Sequence, residues 1–592
     1  MTSIGIDIGT SNTVVAKVDA NGNITVHKFE DDDLLPSMIH VEETGGNITV
    51  GKAAREFWSG SEDNPGETFR RWKMSMADNI VLATQDWGGG PVDISPERLT
   101  TWLVEHIMKQ ITGGLGGESV DSVVVTVPHG WRREHAEKCL ATRKAAREAE
   151  ADGRPLGATV RDQTVDEPVA AAVYALYAAG NTADFAGKDL LIVDIGGGTT
   201  DLSLVRVGGP DDPLVVIDAV NNNIGGDYAT SLLLLKHLEN IATRTGITVP
   251  NTAEAVLRSL EHSDSTWLRA AFAAAEDQLL HTISRYARIA EGRGNLTDKI
   301  SGDWGGRRVP VSSMTDNGTI MTEMSRAEYF TCLEPFFRST QELLTAFLRN
   351  RPSLPYAILM TGGGSNIGGL RTMVIEPTLR RLATPSEARE VLERLKKFHL
   401  NESKLSTAVA MGAALVASGR MTIEERLLFD IGLEVTISEK IAKELGLGES
   451  RQCIVSPLLK SGSRLPATIS LKDLGLGMVD IQEDDLEQRA IIFDDITSPY
   501  EQVWSWSRST LTSRNVLRNV DVRLTADTEG VLKFIVTAHD GNNLINIDGR
   551  LSRPNHLTRS RAGTIYLHED QVQSKYAVRT PDQIAKARAA VS

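Results

Sequence analysis

One local pattern occurs twice in this chain of 592 residues. It runs Gly-Ile-Asp-Ile-Gly-Thr-Ser-Asn-Thr-Val-Val-Ala over Gly5 to Ala16, and Val-Asp-Ile-Gly-Gly-Gly-Thr-Thr-Asp-Leu-Ser-Leu over Val193 to Leu204. In each copy an apolar run ending in Asp reads as a buried strand, the Gly/Thr/Ser cluster as a turn, and the alternating run after it as the returning strand. Each copy is therefore expected to be a hairpin. Glycines in the turn let backbone N–H groups approach a polyanion, and the Asp stands where a hydrated divalent cation can be held. Taken singly, either copy is a glycine hairpin with a surface Asp. Two copies with matched flanks in a long chain imply two turns that face each other and grip one polyphosphate from both sides.

The rest of the sequence bounds this reading. A chain of this length exceeds a single core, so two to four domains are expected. Hydrophobic residues at 41% and charged residues at 24% are those of a globular protein. A net charge of −15 and a pI near 5.4 argue against nucleic acid as a partner. Cys139, Cys332 and Cys453 are far apart and form no CxxC or Cys/His spacing, which predicts reduced thiols and no zinc site. The first strand begins almost at Met1 with no basic start or cleavable apolar segment, and no apolar stretch is long enough to span a bilayer. The expectation is a cytoplasmic protein with no membrane partner.

Residues 1–420 alternate strand-like and helical patterns, as α/β domains do. Val123 to Val127 reads as a core strand, and Leu99 to Gln110, Glu134 to Glu150, Leu232 to Thr245, Trp267 to Glu291 and Ser339 to Arg349 as helices. Ala357-Ile358-Leu359-Met360 runs into the third glycine turn, Thr361-Gly362-Gly363-Gly364-Ser365, and Ala408 to Ala417 reads as a closely packed small-residue helix. After Arg420 the patterns become period two. Arg523 to Val536 reads as strand, turn and strand, the mark of a separate β domain. Arg550 to Ser592 holds eight Lys/Arg against three Asp/Glu, a basic, solvated tail in an acidic protein.

The three glycine turns together resemble the nucleotide signatures of the actin-like ATPase superfamily, and within it the seventy-kilodalton heat-shock chaperones. The resemblance extends over Leu35 to Ile39, Val50 to Ala54, Thr126-Val127-Pro128, and Val165-Asp166-Glu167-Pro168-Val169-Ala170-Ala171-Ala172, which corresponds to the family's Asn-Glu-Pro-Thr-Ala-Ala-Ala. It continues through Leu427 to Glu434 and Asp521 to Ile547, and so covers about residues 1–550. It implies an α/β fold: a duplicated actin-like ATPase domain with ribonuclease H-like subdomains over 1–420, a linker over 421–431, and a β-sandwich peptide-binding-like domain over 432–552. Residues 553–592 are then the basic tail, too short for the family's helical lid, which is expected to be absent.

The same resemblance assigns residues to MgATP hydrolysis, a reaction that needs charge neutralisation and an oriented nucleophile. Asp7, Asp194 and Asp201 would hold Mg²⁺ through its waters. Gly9, Thr10, Ser11 and Asn12 would line the β-phosphate turn, and Gly196, Gly197, Gly198 and Thr199 would cradle the γ-phosphate. Lys73 would stand beside that phosphate, and Glu167 would help to place the attacking water, with Asp194 and Thr199 as further catalytic groups. Taken alone, Lys73 is a surface lysine and Glu167 a glutamate at a helix N-terminus. Glu276 would reach the ribose, and Gly363, Gly364 and Ser365 would form the third turn.

Three departures bear on function. The helix that clasps the base reads Ala275-Glu276-Asp277-Gln278-Leu279-Leu280-His281, Ile367 takes the place of a stacking arginine, and Ala136 that of an arginine following Pro128. Nucleotide selectivity and coupling to the β domain are expected to be altered. Leu433 and Val435 are the candidate pocket-lining residues, against a plain core strand as the alternative. The implied function is an ATP-dependent chaperone that binds unfolded or extended polypeptide, with a J-domain co-chaperone and a nucleotide exchange factor as possible partners. The rivals are a nucleotide-gated scaffold with little hydrolysis, a small-molecule kinase and a filament-forming member of the superfamily; residues 430–550 weigh against the last two.

Overall fold

The structure is a computed structural model. It describes residues 2–423 apart from 61–64, 114–117, 135, 152, 181, 210–213, 246–248, 263–265, 277–308, 316–317, 350 and 398–404, and beyond them chiefly the strands up to Leu567. The chain divides into two compact units, Met1–Ile423 and Glu424–Ser592.

In the first unit the sequence repeat becomes a repeat of topology. The strands Thr2–Ile8 and Asn12–Val18 form an antiparallel hairpin, and Val120–Val127 joins the first of them in parallel. Ile24–Val26 extends this sheet at one side and Val165–Asp166 at the other. The second copy follows the same plan: Asp189–Ile195 and Thr200–Arg206 form the hairpin, Ala357–Thr361 runs parallel to the first strand, and Val215–Asn222 flanks the second. Parallel addition needs a long crossover, and each copy provides one that contains helices. Both hairpins end at the glycine turns, so that Ile8 faces Thr13 and Ile195 faces Thr200 across the last rungs.

Burial follows side-chain period. Pro96–Thr112 buries Leu99, Leu103, Val104, Ile107, Met108 and Ile111 in one core with Ile4, Ile6 and Val125. Its start is set by Ser95, whose hydroxyl accepts from Arg98 N at 3.3 Å, and by Pro96 at the first position. The helix expected from Ser339 begins earlier, at Arg326, and contains Pro335. Ser325 and Glu328 form a reciprocal cap there, with Ser325 N to Glu328 Oε2 at 2.8 Å and Glu328 N to Ser325 Oγ at 3.3 Å. The helix expected over Glu134 to Glu150 is divided into His129–Glu134 and Ala136–Glu148. Of the helix expected from Trp267 to Glu291, Thr266–Ala274 is observed, and residues beyond 276 lie outside the described residues.

The helices Glu167–Ala179 and Ala408–Ala417 pack against each other in a core with strands of both sheets. Their contact leaves no room for a side chain, since a Cβ on Gly412 would lie 1.7 Å from Ala170 O. The small-residue composition read from the sequence is thus a requirement of this crossing.

The second unit is built from strands. Leu517–Ala526, Leu532–Asp540 and Asn543–Leu551 form an antiparallel meander, and Asp430–Thr436 pairs with Gln452–Leu459 on one side and Glu487–Phe493 on the other. Leu433 is in register with Val455 and Ala490, and Val435 with Cys453. Leu427 is buried and its N–H donates to Ser463 O at 2.8 Å; Leu428 lies outside the described residues.

The helix crossing gives a direct test. Gly412→Ala should lower the unfolding free energy by about 1–3 kcal/mol, because the added methyl forces two backbones apart, whereas Gly89→Ala, with open space around its Cβ position, should leave thermal unfolding unchanged. Equal melting curves for the two variants would mean that the crossing is not tight.

Candidate functional site

The two hairpin turns face each other. A Cβ on Gly197 would lie 2.1 Å from Ser11 Oγ, and one on Gly198 would lie 3.4 Å from Thr10 Oγ1. The first turn is braced by Ser37, whose hydroxyl donates to Gly9 O at 2.8 Å and whose N–H donates to Ser11 O at 2.8 Å. Asn12 opens the returning strand opposite Pro36. The second turn closes through Gly196 N to Thr199 O at 2.9 Å, and its carbonyls at Gly196 and Gly197 accept from Gly226 N and Asp227 N at 2.8 Å each. The third turn, Gly363–Asn366, holds Gly364 and Ser365 buried, with the Ser365 hydroxyl bonded to Thr361 O.

The acidic residues of the hairpins stand at the base of this cleft. Asp7 and Asp194 are the penultimate residues of the first strands of the two copies, and Asp201 is in register with Asp194. Asp194 and Asp201 are buried, and Thr126 Oγ1 donates to Asp7 Oδ1 at 3.1 Å. Burial first, then the Glu167 carboxylate, push Asp7 up to about 7, against the pull of Lys73 and the Thr126 hydroxyl. Burial and Glu167 likewise push Asp201 up to about 7, with the Thr199 hydroxyl, His129 and Lys73 pulling it back. Asp194 is held well above the ordinary carboxylate range by burial and by Glu167, Asp201 and Asp7.

Lys73 is buried rather than at the surface, in a short turn of 3₁₀ helix. Its Nζ meets Glu167 Oε1 at 2.6 Å and lies 5.6 Å from the Trp131 ring centroid. Lys138 lies 5.8 Å from the same ring and donates to Met74 O, so it fixes the turn that carries Lys73. Glu167 opens its helix directly after Asp166, which receives the hydrogen bond of His129 Nδ1.

Asp227 is a site residue that the motifs did not single out. Its Oδ1 accepts from Ser11 Oγ at 2.9 Å, and its Oδ2 lies 3.5 Å from both Arg70 Nη2 and Arg71 Nε, an ion-pair distance. The Arg70 guanidinium stacks over Trp58 at 4.7 Å and Phe272 at 5.1 Å. The signal was present in the position of Asp227 immediately after Gly225-Gly226, which dock on the second turn.

Two residues on the side expected to face a base are engaged within the chain. Glu276 is engaged with Arg55 at 3.2 Å. Ile367 does not occupy a stacking position: it is 1% exposed and packs in the apolar core with Leu370 and Val374, while its neighbour Asn366 is the half-buried residue of the turn. An apolar side chain there gains more from the core than from a ligand's face. Residues 277–281 of the clasp lie outside the described residues.

This donor set fits a hydrated divalent cation. All of the donors are oxygens, the carboxylates repel one another, and Asp201 Oδ1 is buried with no hydrogen-bond partner. Among the described residues no group of three or more His, Cys, Asp or Glu side chains is arranged to hold a metal ion. No described helix is long and apolar enough to cross a membrane.

Comparison with known proteins agrees with this geometry. Residues 3–266 match the family model described as Hsp70 protein. The chain is 29% identical over 260 residues to the Chaperone protein DnaK of Thermotoga neapolitana, and 28% identical over 260 residues to those of Thermotoga petrophila and Thermotoga maritima. In each case the match covers 43% of this chain and 39% of the relative, about two fifths of the relative's length.

The raised carboxylates set the sign of a pH effect. Their folded-state values of about 7 for Asp7 and Asp201 exceed the unfolded value of about 3.9, so their contribution to stability is fully present below the unfolded value and is lost as pH rises through 7. In metal-free buffer the melting temperature should fall between pH 5 and pH 8, and Asp201→Asn should flatten that slope. Added Mg²⁺ should stabilise more at pH 8 than at pH 6, because a cation must displace the protons it replaces. A Mg²⁺ effect independent of pH in differential scanning calorimetry would contradict the charge assignment.

Proposed function

We propose, on the premise that this chain is a member of the Hsp70 family through residues 3–266, that it is a MgATP-hydrolysing chaperone of cytoplasmic type. The observation that carries the reading is the cluster of Asp7, Asp194, Asp201 and the Lys73–Glu167 pair between two apposed glycine turns. ATP bound there would place its β-phosphate against Gly9 to Asn12 and its γ-phosphate against Gly196 to Thr199. Backbone N–H groups of the turns would carry the phosphate charge, and Lys73 would stabilise the γ-phosphoryl oxygens as charge shifts during transfer. Asp7, Asp194 and Asp201 would hold Mg²⁺ through its waters, and Mg²⁺ when bound neutralises phosphate charge. Glu167 would orient the attacking water while keeping Lys73 in place.

Residues 421–431 serve in this reading as the linker, and the strands of 432–552 as a β-sandwich that takes an extended polypeptide client beside Leu433 and Val435. Nucleotide state then shifts the population between client-holding and client-releasing arrangements. A J-domain co-chaperone and an exchange factor are the partners proposed by analogy with the DnaK relatives. The rival reading, a nucleotide-gated scaffold with little hydrolysis, is favoured by the engagement of Glu276 with Arg55 and the burial of Ile367, which leave base recognition to other groups.

Lys73→Ala, Asp194→Ala and Thr199→Ala should each lower single-turnover ATP cleavage by about tenfold or more, on the order of 1.4 kcal/mol of transition-state stabilisation, with smaller effects on binding. Wild-type cleavage in all three would leave the scaffold reading standing. Calorimetric titration of ATP and GTP checks the base site: discrimination between them should be small, and a strong ATP preference would mean that side chains beyond Glu276 and Asn366 read the base.

A further inference from the structure

His129 and Asp166 form a buried pair that the hydrolytic machinery described above does not use. The imidazole is 1% exposed and the carboxylate fully buried, and His129 Nδ1 donates to Asp166 Oδ2. The other ring nitrogen, His129 Nε2, is also buried and has no hydrogen-bond partner. A buried imidazole nitrogen without a partner is costly unless something polar fills the space before it. A second buried atom, Asp201 Oδ1, is equally unpartnered, and it lies on a strand that the short helix opened by His129 contacts.

The backbone explains how the pair comes to stand at the site. Val127 is in parallel register with Asp166, so Pro128 and His129 leave the sheet beside the start of the Glu167–Ala179 helix. The short helix opened by His129 rests on the hairpin that carries Asp201 and on the strand next to it; a Cβ on Gly130 would lie 2.1 Å from Asn221 Nδ2. Among the described residues the charged groups placed beside the imidazole are thus Asp166 on its Nδ1, the Glu167–Lys73 pair at the helix start, and Asp201 on a strand that its helix contacts.

We propose that His129, oriented by Asp166, accepts the proton of the water that attacks the γ-phosphate. A carboxylate on Nδ1–H fixes the tautomer, leaves the Nε2 lone pair free as a base, and stabilises the imidazolium that forms. In the step, the water oxygen forms a bond to the γ-phosphorus. The bond from that phosphorus to the bridging oxygen breaks, its electron pair leaving with ADP, and the water proton moves to Nε2, from which it passes to the released phosphate. The motif residue before Glu167 is Asp here in place of the family's Asn, which supplies the negative charge the imidazolium needs. This inference rests on the hydrolytic reading above.

The test is single-turnover cleavage of bound ATP at saturating Mg²⁺ across pH 5.5–8.5, in wild type, His129→Gln and Asp166→Asn, with nucleotide affinity and melting temperature measured alongside. His129→Gln should slow cleavage by about tenfold or more and remove the limb along which the wild-type rate falls at low pH, with affinity little changed. Asp166→Asn, which keeps the shape, should slow cleavage less and move that limb to lower pH. Independently of turnover, the downfield imidazole N–H proton resonance of the wild type should vanish in both variants. A limb unmoved in Asp166→Asn, or wild-type rates in His129→Gln, overturns the dyad while leaving hydrolysis intact. A wild-type chain that cleaves no ATP at any pH overturns the hydrolytic reading and this proposal with it.

Discussion

Buried Asp194 and Asp201 with half-buried Asp7, beside one lysine already committed to a fourth carboxylate, form the constraint on which the rest of the site depends. Burial first, and then the Glu167 carboxylate, displaces Asp7, Asp194 and Asp201 upward, with Asp201 and Asp7 adding to the effect at Asp194. Stability alone would favour apolar side chains at these positions. In the proposed reading the acids are kept for a cation and the anion it accompanies. The surrounding sheets supply the rigidity, because both hairpins are anchored on parallel strands that cannot shift register without exposing a core face.

The same constraint explains why the outer ring of the site is ionic and aromatic. Asp227 ties Ser11 of one turn to Gly197 of the other and lies within reach of Arg70 and Arg71. Arg70 in turn rests between Trp58 and Phe272. Lys73 and Lys138 use Trp131 in a similar way. Aromatic faces hold a cation without neutralising it, and the pairing charges come instead from Glu167 at Lys73 and from Asp227 at Arg70 and Arg71.

Much of the first unit was legible in the sequence because its signals are local. The glycine turns between Asp7 and Thr13 and between Asp194 and Asp201 encode their own hairpins, and the alanine-rich run Ala408–Ala417 encodes a helix that can be approached closely. The division of the segment after Pro128 into His129–Glu134 and Ala136–Glu148 was less legible, since the point at which one helix gives way to another is decided by what the chain packs against. Asp227 and His129 escaped notice for another reason. Each is one polar residue beside a glycine or proline, and its meaning comes from partners more than 30 positions away. Ile367 was read only as standing in the place of a stacking arginine, and its burial in the core was not legible because turn geometry, set by Gly362 to Asn366, decides which neighbour points inward.

The contact between Gly412 and Ala170 has a mechanical consequence. Where side chains interdigitate, one element can slide past another only if rotamers change together, and such interfaces tend to have discrete positions. Here helix meets helix through glycine, alanine and carbonyl oxygen, a surface with almost no relief. Because these two helices share one core with strands of both hairpin sheets, the backbone-to-backbone contact sets a spacing between those sheets that no change of rotamer can relax.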